Sequence, residues 1–494
     1  MKYLFSFFLV GISFVSLFAQ IQIGGNIDGE LAGDKCGHSV SISDDGKVLA
    51  IAAPGNGYDE NQKGRVKVYE YSAGKWSQLG ADIDGEAAND ASGYAISLSD
   101  DGTVLAIGAP QNDDNGQGAG HVRVYKYVSG TWSQLGADID GEAAIDQSGF
   151  SVSLSGDGTF LAIGAPLNSD NGEFAGQVRV YEYNSGTWSQ LGEDIDGEAA
   201  GDWSGDDVAL SDDGTVLAIG ITDIRNVDSA GYVRVYKYDS GNWSQLGADI
   251  DGEVAGERSG DDVALSNGGT VLAIGAPGKV NSENPNGRVK VYQYISGTWS
   301  QLGSDIIGEA AGDISGYSIS LSNDGTVLAI GAPGNDDAGV IAGQVRIYKY
   351  VSGTWSQIST DIDGEAASDQ CGVSVSLSGD GTVVAIGASG NDENGNEAGS
   401  VRVFDLTNTS EIDDLDLFSL VSIFPNPTEG NVQVTFDKSL YGSSYFIYDL
   451  VGKKVLKGKL NEVNQEIYLE NLNRGTYTFV LEGSFNYCLK LVKL

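Results

Sequence analysis

Residues 76–131 read WSQLGADIDGEAANDASGYAISLSDDGTVLAIGAPQNDDNGQGAGHVRVYKYVSGT, and the architecture of the chain follows from them. They contain four strand-like runs, WSQLGADI, YAISLS, TVLAIGAP and HVRVYKY, separated by turn and loop signals such as DDG and SG. No run has the period of about 3.6 residues that marks an amphipathic helix. The stretch is therefore predicted to fold as four short antiparallel strands.

This unit occurs seven times. Its IDGE motif, or a variant of it, starts at positions that lie 56, 56, 56, 55, 56 and 56 residues apart: Ile27, Ile83, Ile139, Ile195, Ile250, Ile306 and Ile362. Seven repeats of four short strands indicate an all-β fold, a seven-bladed β-propeller with four-stranded blades. A linear β-solenoid is the alternative.

The number of strands favours the closed ring. The Trp-led run follows only the first six HVRVYKY-type runs, and the seventh copy stands at the start of the chain as QIQIGGNIDGE, residues 20–30. A ring explains this displacement, because the N-terminal strand then completes the last blade and hides a sheet edge. The propeller is predicted to span residues 20–406.

The charge limits the partners. A net charge of −41 argues against nucleic acid and against an anionic membrane surface. Residues 418–494 are nearly neutral, with 8 Lys and Arg against 7 Asp and Glu, so the excess acid lies upstream. Residues 1–19 are typical of a cleaved signal peptide, with a membrane anchor as the alternative. The mature chain is expected to be exported and to have no transmembrane segment.

The copies resemble FG-GAP repeats, the propeller units of integrin α-chains and many bacterial surface proteins. The motifs that carry the resemblance are SGY at 92–94 and IGAP at 107–110, repeated around the ring. The resemblance implies a propeller fold and a binding or adhesion role. It does not extend to the calcium loop of that family, because only Asp101 of four ligand positions is retained here. The DDG and NDG stretches are predicted to be plain turns.

Calcium is the only cofactor that the sequence suggests. The loops after the GAP motif are rich in carboxylates and amides, which suit Ca²⁺, and they are expected to share one face with the acidic blade-to-blade loops. The candidate metal ligands are Asp113, Asp114, Asp170, Asp336, Asp337 and Asp392. The alternative is a solvated face that keeps the protein soluble.

Two neighbouring blades depart from the repeat. After the SG or CG step, five blades carry His38, Tyr94, Phe150, Tyr317 or Val373. The fourth and fifth blades carry acidic pairs instead, and the fourth adds an indole and a guanidinium. The candidate ligand-binding residues are Asp206, Asp207, Asp261, Asp262, Trp203 and Arg225. They predict a site for a cation, a sugar or a peptide, with drift between duplicated blades as the alternative.

No catalytic set is visible, so the chain is predicted not to be an enzyme. It has two histidines, His38 and His121, and other copies have Gln177, Tyr232 or Gln344 at the position of His121. That variation indicates a surface position. No Ser–His–Asp arrangement, phosphate loop or zinc-type Cys/His spacing is present. A hydrolase with paired carboxylates is the weakest functional alternative.

Beyond the repeats, residues 407–417 are typical of an acidic linker, and residues 418–494 predict a small β-sandwich. This last segment resembles the C-terminal sorting domain of type IX secretion substrates. The motifs are FPNP at 424–427, YDLVGKKV at 448–455, NLNRGTY at 471–477 and KLVKL at 490–494. The residues that match the family are Pro425, Asn426, Pro427, Gly452, Lys453, Gly475, Lys490 and Lys493.

The resemblance implies export from a Gram-negative bacterium. The chain would pass through the periplasm, engage the type IX secretion machinery as a partner, and be released or attached at the outer cell surface. The sequence therefore predicts a secreted or surface-attached binding or adhesion module whose ligand is an extracellular glycan, peptide or protein. A structural surface-coat protein is the alternative.

Cys36 and Cys371 occupy a position that is serine in the other five copies. In a closed ring the first and last blades are neighbours. Equivalent positions of adjacent blades can then approach the Cα separation of about 4.4–6.8 Å that a disulfide needs. A Cys36–Cys371 disulfide is predicted, with two chance replacements of serine as the alternative.

Overall fold

The structure is a computed structural model. It describes residues 20–55, 63–222, 229–278 and 285–407, and in the C-terminal part residues 421–424, 428, 430–436, 444–448, 453–461, 464–469, 472–482 and 487–493. The chain divides into two compact units, Met1–Asn408 and Thr409–Leu494. The predicted signal peptide and residues 408–417 of the predicted linker lie outside the described residues.

The first unit is a ring of seven blades, and each blade is an antiparallel sheet of four strands whose outermost strand is broken into two segments. The first strands surround the central channel and contact one another around the whole ring. They are Ser39–Ile42, Ile96–Leu98, Ser151–Leu154, Ser204–Leu210, Val263–Leu265, Ser318–Leu321 and Cys371–Leu377. The second strands are Val48–Ala53, Val104–Ala109, Phe160–Ala165, Val216–Ile221, Val271–Ala276, Val327–Ala332 and Val383–Ala388.

The third and fourth strands form the outer half of each blade. The third strands are Arg65–Ser72, His121–Val128, Gln177–Asn184, Tyr232–Asp239, Arg288–Ile295, Gln344–Val351 and Ser400–Asp405. The first segments of the outer strands are Ile21–Gln22, Lys75–Gln78, Thr131–Gln134, Thr187–Gln190, Asn242–Gln245, Thr298–Gln301 and Thr354–Gln357. The second segments are Ile27–Asp28, Ile83–Asp84, Ile139–Asp140, Ile195–Asp196, Ile250–Asp251, Ile306–Ile307 and Ile362–Asp363.

A glycine breaks the outer strand in six of the blades and lets the next blade approach, whereas the sixth blade has Ser359 at this place. In the first blade this residue is Gly80, whose φ is +84°. A Cβ atom there would lie 2.8 Å from Cδ1 of Trp132 in the second blade. The turn and the packing therefore both require glycine. The Trp132 indole N–H donates a hydrogen bond to the Leu79 carbonyl at 2.8 Å, which joins the two blades.

The N-terminal strand completes the last blade, which confirms the predicted closure. Ile21 pairs with Asp405, and Ile27 pairs with Val401, so both outer segments of the seventh blade come from the start of the chain. The Gln20 side chain stands where the other blades have tryptophan, and its amide donates to the Thr360 carbonyl of the sixth blade at 3.1 Å.

A circle of backbone hydrogen bonds joins the turns between the first and second strands. Each turn donates one N–H to the same turn of the following blade at 2.8–3.2 Å. From donor to acceptor the circle runs Asp44, Asp100, Gly156, Asp212, Asn267, Asn323, Gly379 and back to Asp44. The last bond crosses the join between the seventh blade and the first. We call these seven residues the axial ring.

The hydrophobic core lies between neighbouring blades. One cluster combines Val66 and Val68 of the first blade with Ile96, Leu105 and Ile107 of the second. The second strands are buried on both faces because each blade packs against two others, and this explains their continuous apolar sequence.

The predicted Cys36–Cys371 disulfide is wrong, because both thiols are free and buried. Each cysteine points outward into its own seam. Cys36 Sγ lies 3.9 Å from the Ile27 carbonyl of the seventh blade, and Cys371 Sγ lies 3.8 Å from the Ile362 carbonyl of the sixth. The Arg402 guanidinium also contacts Cys371 Sγ at 3.3 Å. The two sulfur atoms therefore occupy successive seams instead of facing each other.

The second unit contains two small sheets. One has the strands Val421–Phe424, Val432–Phe436 and Asn464–Ile467, and the other has Ser444–Tyr448, Lys454–Lys459, Gly475–Glu482 and Tyr487–Lys493. Side chains of both sheets, among them Val434, Ile447 and Phe479, share one buried core. The described residues contain no helix with the length and apolar character that crossing a bilayer requires.

We expect Ile27→Ala to lower the melting temperature as much as Ile83→Ala. The two isoleucines hold equivalent places in the seventh and first blades, and both are buried. Each truncation leaves a cavity that costs about 2–5 kcal/mol. Thermal unfolding of the two variants checks this. A much smaller effect for Ile27→Ala would mean that the N-terminal strand does not complete the last blade.

We expect the double variant Cys36→Ser, Cys371→Ser to keep the melting temperature of the parent, with and without reductant. Serine is the residue of the other blades at this position, and no covalent bond is lost. Alkylation of the unfolded, unreduced protein followed by peptide mapping should label both cysteines. Recovery of a linked Cys36–Cys371 peptide would contradict the free thiols.

Candidate functional site

The central channel opens through a ring of one residue from each blade. These residues are His38, Tyr94, Phe150, Asp206, Asp261, Tyr317 and Val373, and with the residues just below them they line a cavity of about 300 Å³. We call this cavity the channel mouth. The four predicted aspartates of the fourth and fifth blades meet here, although the pairs are 55 residues apart in sequence.

Aromatic rings form one side of the channel mouth. The centroids of His38 and Tyr94 lie 5.0 Å apart, and those of Tyr94 and Phe150 lie 4.8 Å apart. Burial, together with the nearby Lys35 ammonium, lowers the pKa of His38 to about 4, so its imidazole is neutral. This side therefore offers uncharged ring faces.

Asp207 and Asp262 have a structural task within the opposite side. The Val263 N–H donates to Asp207 and the Ile319 N–H donates to Asp262, both at 2.8 Å. In the sixth blade Ser318 accepts the same bond from its neighbour. The two aspartates thus replace a blade-joining serine, and their carboxyl groups also hydrogen-bond each other.

Asp206 and Asp261 lie at the rim of the channel mouth. The Thr222 hydroxyl donates to Asp206 at 2.7 Å, and the Arg258 guanidinium contacts Asp261. These contacts fix one oxygen of each carboxyl group.

Burial raises the pKa of all four carboxyl groups. The pKa rises to about 6 for Asp207 and to about 7 for Asp261, and it rises well above the usual value for Asp262. Asp206 is raised for the same reason. At neutral pH the acidic side therefore holds both protonated and ionised carboxyl groups beside one Arg258 cation, so it offers hydrogen-bond donors as well as acceptors.

Of the other two predicted ligand residues, Trp203 does not line this cavity. Trp203 adopts a left-handed conformation with φ of 58°, and its carbonyl accepts the Asp206 N–H at 3.1 Å. It therefore positions the turn that carries Asp206. Arg225 lies outside the described residues.

An apolar groove leads away from the channel mouth between the sixth and seventh blades. Tyr317 and Val373 line both cavities, and the groove has a volume of about 510 Å³. Val340 and Ile341 form part of its wall and are exposed to 67% and 44%. The sequence analysis missed this groove; the available signal was Val340, because the matching loops of the second, third and seventh blades have Gln117, Glu173 and Asn396 there.

The six predicted metal ligands are spread over four blades, and three of them cap their own loops. Asp113 accepts the Gly118 N–H at 2.7 Å, Asp336 accepts the Ile341 N–H at 2.7 Å, and Asp392 accepts the Glu397 N–H at 2.8 Å. The other three predicted ligands, Asp114, Asp170 and Asp337, hold the next position of the same loop in their blades. Within the described residues, one group of three places its metal-ligating atoms within 4.8 Å of one another, and it consists of Glu86, Asp114 and His121.

The surface position predicted for His121 is wrong, because the residue is 1% exposed. It begins the third strand of the second blade, where it pairs with Ala109 on one side and Asp140 on the other. The short outer segment Ile139–Asp140 covers the third strand at this point. Burial, with the Arg123 guanidinium nearby, lowers the pKa of His121 and keeps its imidazole neutral.

The DDG stretches contain a turn cap, as predicted, and a second feature that the sequence did not reveal. Although partial burial opposes ionisation of Asp101, hydrogen bonds from Thr103 and Ser99 lower its pKa. The preceding aspartate belongs to the axial ring. Burial and the nearby Asp44 raise the pKa of Asp100 to about 6. Burial and the nearby Asp100 raise the pKa of Asp212 to about 7.

Several residues of the predicted sorting signal have structural places in the second unit. The Lys493 ammonium donates to the carbonyls of Leu469 and Leu472, the latter at 2.7 Å, and so holds a turn against the last strand. Gly475 begins a strand, Lys453 is exposed just before one, and Lys490 pairs with Thr478. Pro425, Asn426, Pro427 and Gly452 lie outside the described residues.

Fold and sorting module together define an exported β-propeller. Residues 422–493 match the secretion system C-terminal sorting domain, and residues 357–404 match the FG-GAP repeat. Both resemblances are confirmed. Residues 357–404 therefore carry an FG-GAP repeat, and residues 422–493 carry a sorting domain of the type IX kind. The sorting domain directs the protein, through the secretion machinery, to the medium or the outer surface of a Gram-negative bacterium.

Two of the solved structures that resemble the chain do so at low identity. A protein assigned as a 6-phosphogluconolactonase from Bacteroides uniformis has a TM-score of 0.48 and 15% identity, with 66% of this chain and 85% of that chain covered. The periplasmic gluconolactonase of Pseudomonas aeruginosa has a TM-score of 0.44 and 17% identity, with 67% and 85% covered. Likeness at this level says nothing about what this chain binds or converts. No curated protein matches the chain.

We expect Asp212→Asn to stabilise the propeller at pH 8 and to do so less at pH 5. The pKa of Asp212 is raised to about 7 in the folded state. The protonated carboxyl group of Asp212 therefore stabilises the fold fully at pH values below the unfolded pKa of about 4, and this stabilisation is lost as the pH rises toward 7. Asparagine removes that loss, which we expect to raise the melting temperature at pH 8 by about 2–4 °C.

Glu70→Gln is the matched control, because Glu70 is exposed and its substitution removes the same single charge. Melting curves of both variants at the two pH values separate local from global charge effects. If the melting temperatures of Asp212→Asn and Glu70→Gln depend equally on pH, the raised pKa of Asp212 in the axial ring is contradicted.

Proposed function

We propose that the propeller is an extracellular binding module and that a carbohydrate enters its channel mouth. The observation that carries the proposal is the division of this cavity into an aromatic side and a carboxyl side. Sugars present the same division, with hydroxyl groups along their edges and apolar C–H groups on their faces. Tyr94 and Phe150 offer ring faces, and Asp206 and Asp261 offer hydrogen-bonding oxygens.

The charge state of the mouth supports a neutral polyhydroxyl ligand over a divalent cation. Arg258 contacts Asp261, and the shared hydrogen bond of Asp207 and Asp262 requires a proton. A cation would have to compete with that guanidinium and that proton. Sugar hydroxyl groups can donate to the ionised carboxylates and accept from the protonated carboxyl groups and from Arg258.

The size and surroundings of the cavity also fit a glycan. A volume of about 300 Å³ admits a small ligand or one end of a longer one. The adjoining groove, which shares Tyr317 and Val373 with the mouth, gives a longer chain a path across the face of the propeller. Because the sorting domain exports the protein, the ligand is met outside the cell.

We also propose that the chain binds its ligand without cleaving it. Asp207 and Asp262 resemble a catalytic carboxyl pair in their shared hydrogen bond, but each also accepts a backbone N–H of the next blade. Those bonds favour a structural task. A secreted hydrolase and a structural coat protein are the competing functions, and the experiment below distinguishes them.

A glycan array probed with the full-length protein tests the proposal. The double variant Asp206→Asn, Asp261→Asn removes both rim carboxylates. Charge-assisted hydrogen bonds are worth about 1.5–3 kcal/mol each, so we expect its affinity for the bound glycans to fall at least about tenfold. The control is Glu70→Gln, Glu182→Gln, at equivalent places on two third strands away from the mouth; it should bind as the parent does.

Equal binding by the parent and the rim variant would contradict the site. An array on which the parent binds nothing would contradict carbohydrate binding and favour a structural coat. Mass spectrometry of the bound glycans after incubation reads out cleavage, and shortened products would identify a hydrolase instead. Melting curves confirm that each variant is folded.

A further inference from the structure

The buried imidazole of His121 lacks the hydrogen bonds that its position provides in other blades. Its side chain is 1% exposed, and neither Nδ1 nor Nε2 has a hydrogen-bond partner. A buried polar group without a partner is costly, by about 1–3 kcal/mol. The scaffold normally avoids this cost at this point.

In five other blades the side chain at the position of His121 does have a hydrogen-bond partner. Each carries a polar side chain that donates to a nearby carboxylate: Arg65 to Asp84, Gln177 to Asp196, Tyr232 to Asp202, Arg288 to Glu253 and Gln344 to Asp363. In two of these blades the donor is a cation. His121 is neutral and donates to none of them.

Two carboxylates face this imidazole. Oε2 of Glu86 lies 3.9 Å from Nδ1 of His121, and the ligating atoms of Glu86, Asp114 and His121 all lie within 4.8 Å of one another. The other oxygen of Glu86, Oε1, lies 3.7 Å from Nη1 of Arg123, which steadies the carboxylate without occupying Oε2.

We propose that Glu86, Asp114 and His121 bind a first-row divalent transition metal, with Zn²⁺ as the reference ion. One imidazole nitrogen and two carboxylate oxygens are a borderline donor set, which suits Zn²⁺ and its neighbours better than Ca²⁺. Bond lengths of about 2.0–2.2 Å place tetrahedral ligand atoms about 3.3–3.6 Å apart. Rotation of the exposed Glu86 and Asp114 side chains closes the remaining distance.

Of the seven sequence copies, the second has histidine at this position, and the carboxylates around it recur in another copy. The third blade has Glu142 and Asp170 at the corresponding carboxylate positions, with Gln177 in place of the histidine. Gln177 is also 1% exposed, so the scaffold accepts glutamine at this depth. His121→Gln should therefore fold, and Gln177→His should create a second site.

Zn²⁺ titration of the chelator-treated full-length protein by calorimetry tests the proposal. We expect one tight equivalent for the parent, an affinity at least about tenfold lower for His121→Gln, and two equivalents for Gln177→His. His38→Gln is the matched control for the other histidine and should keep the parental equivalent. Co²⁺ absorption spectra report the geometry of the bound ion independently.

Zn²⁺ binding of the same affinity and stoichiometry in the parent and in His121→Gln would overturn the proposal. It would also be overturned if the parent took up no tight equivalent. Glycan binding and metal binding use different residues, so failure of one leaves the other standing. Melting curves without metal confirm that His121→Gln is folded.

Discussion

The closed circle of seven backbone hydrogen bonds around the axis is the constraint on which the rest of the structure depends. A circle of this kind forms only if the seventh turn reaches the first, and Gly379 donates to Asp44 at 3.1 Å to complete it. The seventh blade in turn needs an outer strand, which Ile21–Gln22 and Ile27–Asp28 supply from the start of the chain. Closure and blade completion are therefore two aspects of one requirement.

Closure also explains why the functional candidates lie where they do. In an open array, residues in the fourth blade would meet only those of the third and fifth. In the ring, all seven first strands face one channel, so Asp206 and Asp261 share a cavity with His38 and Val373 from the two ends of the chain. The repeat supplies the scaffold, and departures from it supply the chemistry. His121, which lies away from the axis, is also a departure from the repeat, because two other blades have glutamine at the same buried position.

Much of this could be predicted from the sequence, because it depends on periodicity. The alternation of small and large residues placed the strands, and the displaced run at 20–30 identified the strand that completes the last blade. The acidic pairs of the fourth and fifth blades were recognisable as departures from the repeat, so their meeting at the channel was foreseeable.

What the sequence could not show is the direction of individual side chains. The repeat assigns Cys36 and Cys371 to equivalent positions in adjacent blades, but not that both point outward, into separate seams. Likewise, a position that varies among copies is normally exposed, and only the pairing of His121 with Asp140 shows that an outer segment covers it. The three axial aspartates, Asp44, Asp100 and Asp212, were missed for the same reason, since a DDG sequence is an ordinary turn signal and only the closed ring brings the three turns together.

Hydrogen–deuterium exchange of the seven axial-ring amides tests the closed ring most directly. If the circle is continuous, the N–H groups of residues 44, 100, 156, 212, 267, 323 and 379 exchange slowly and at similar rates, because no bond of the circle opens without the others. Fast exchange confined to Gly379 and Asp44, with protection rising toward the middle blades, would show an open array and contradict the account.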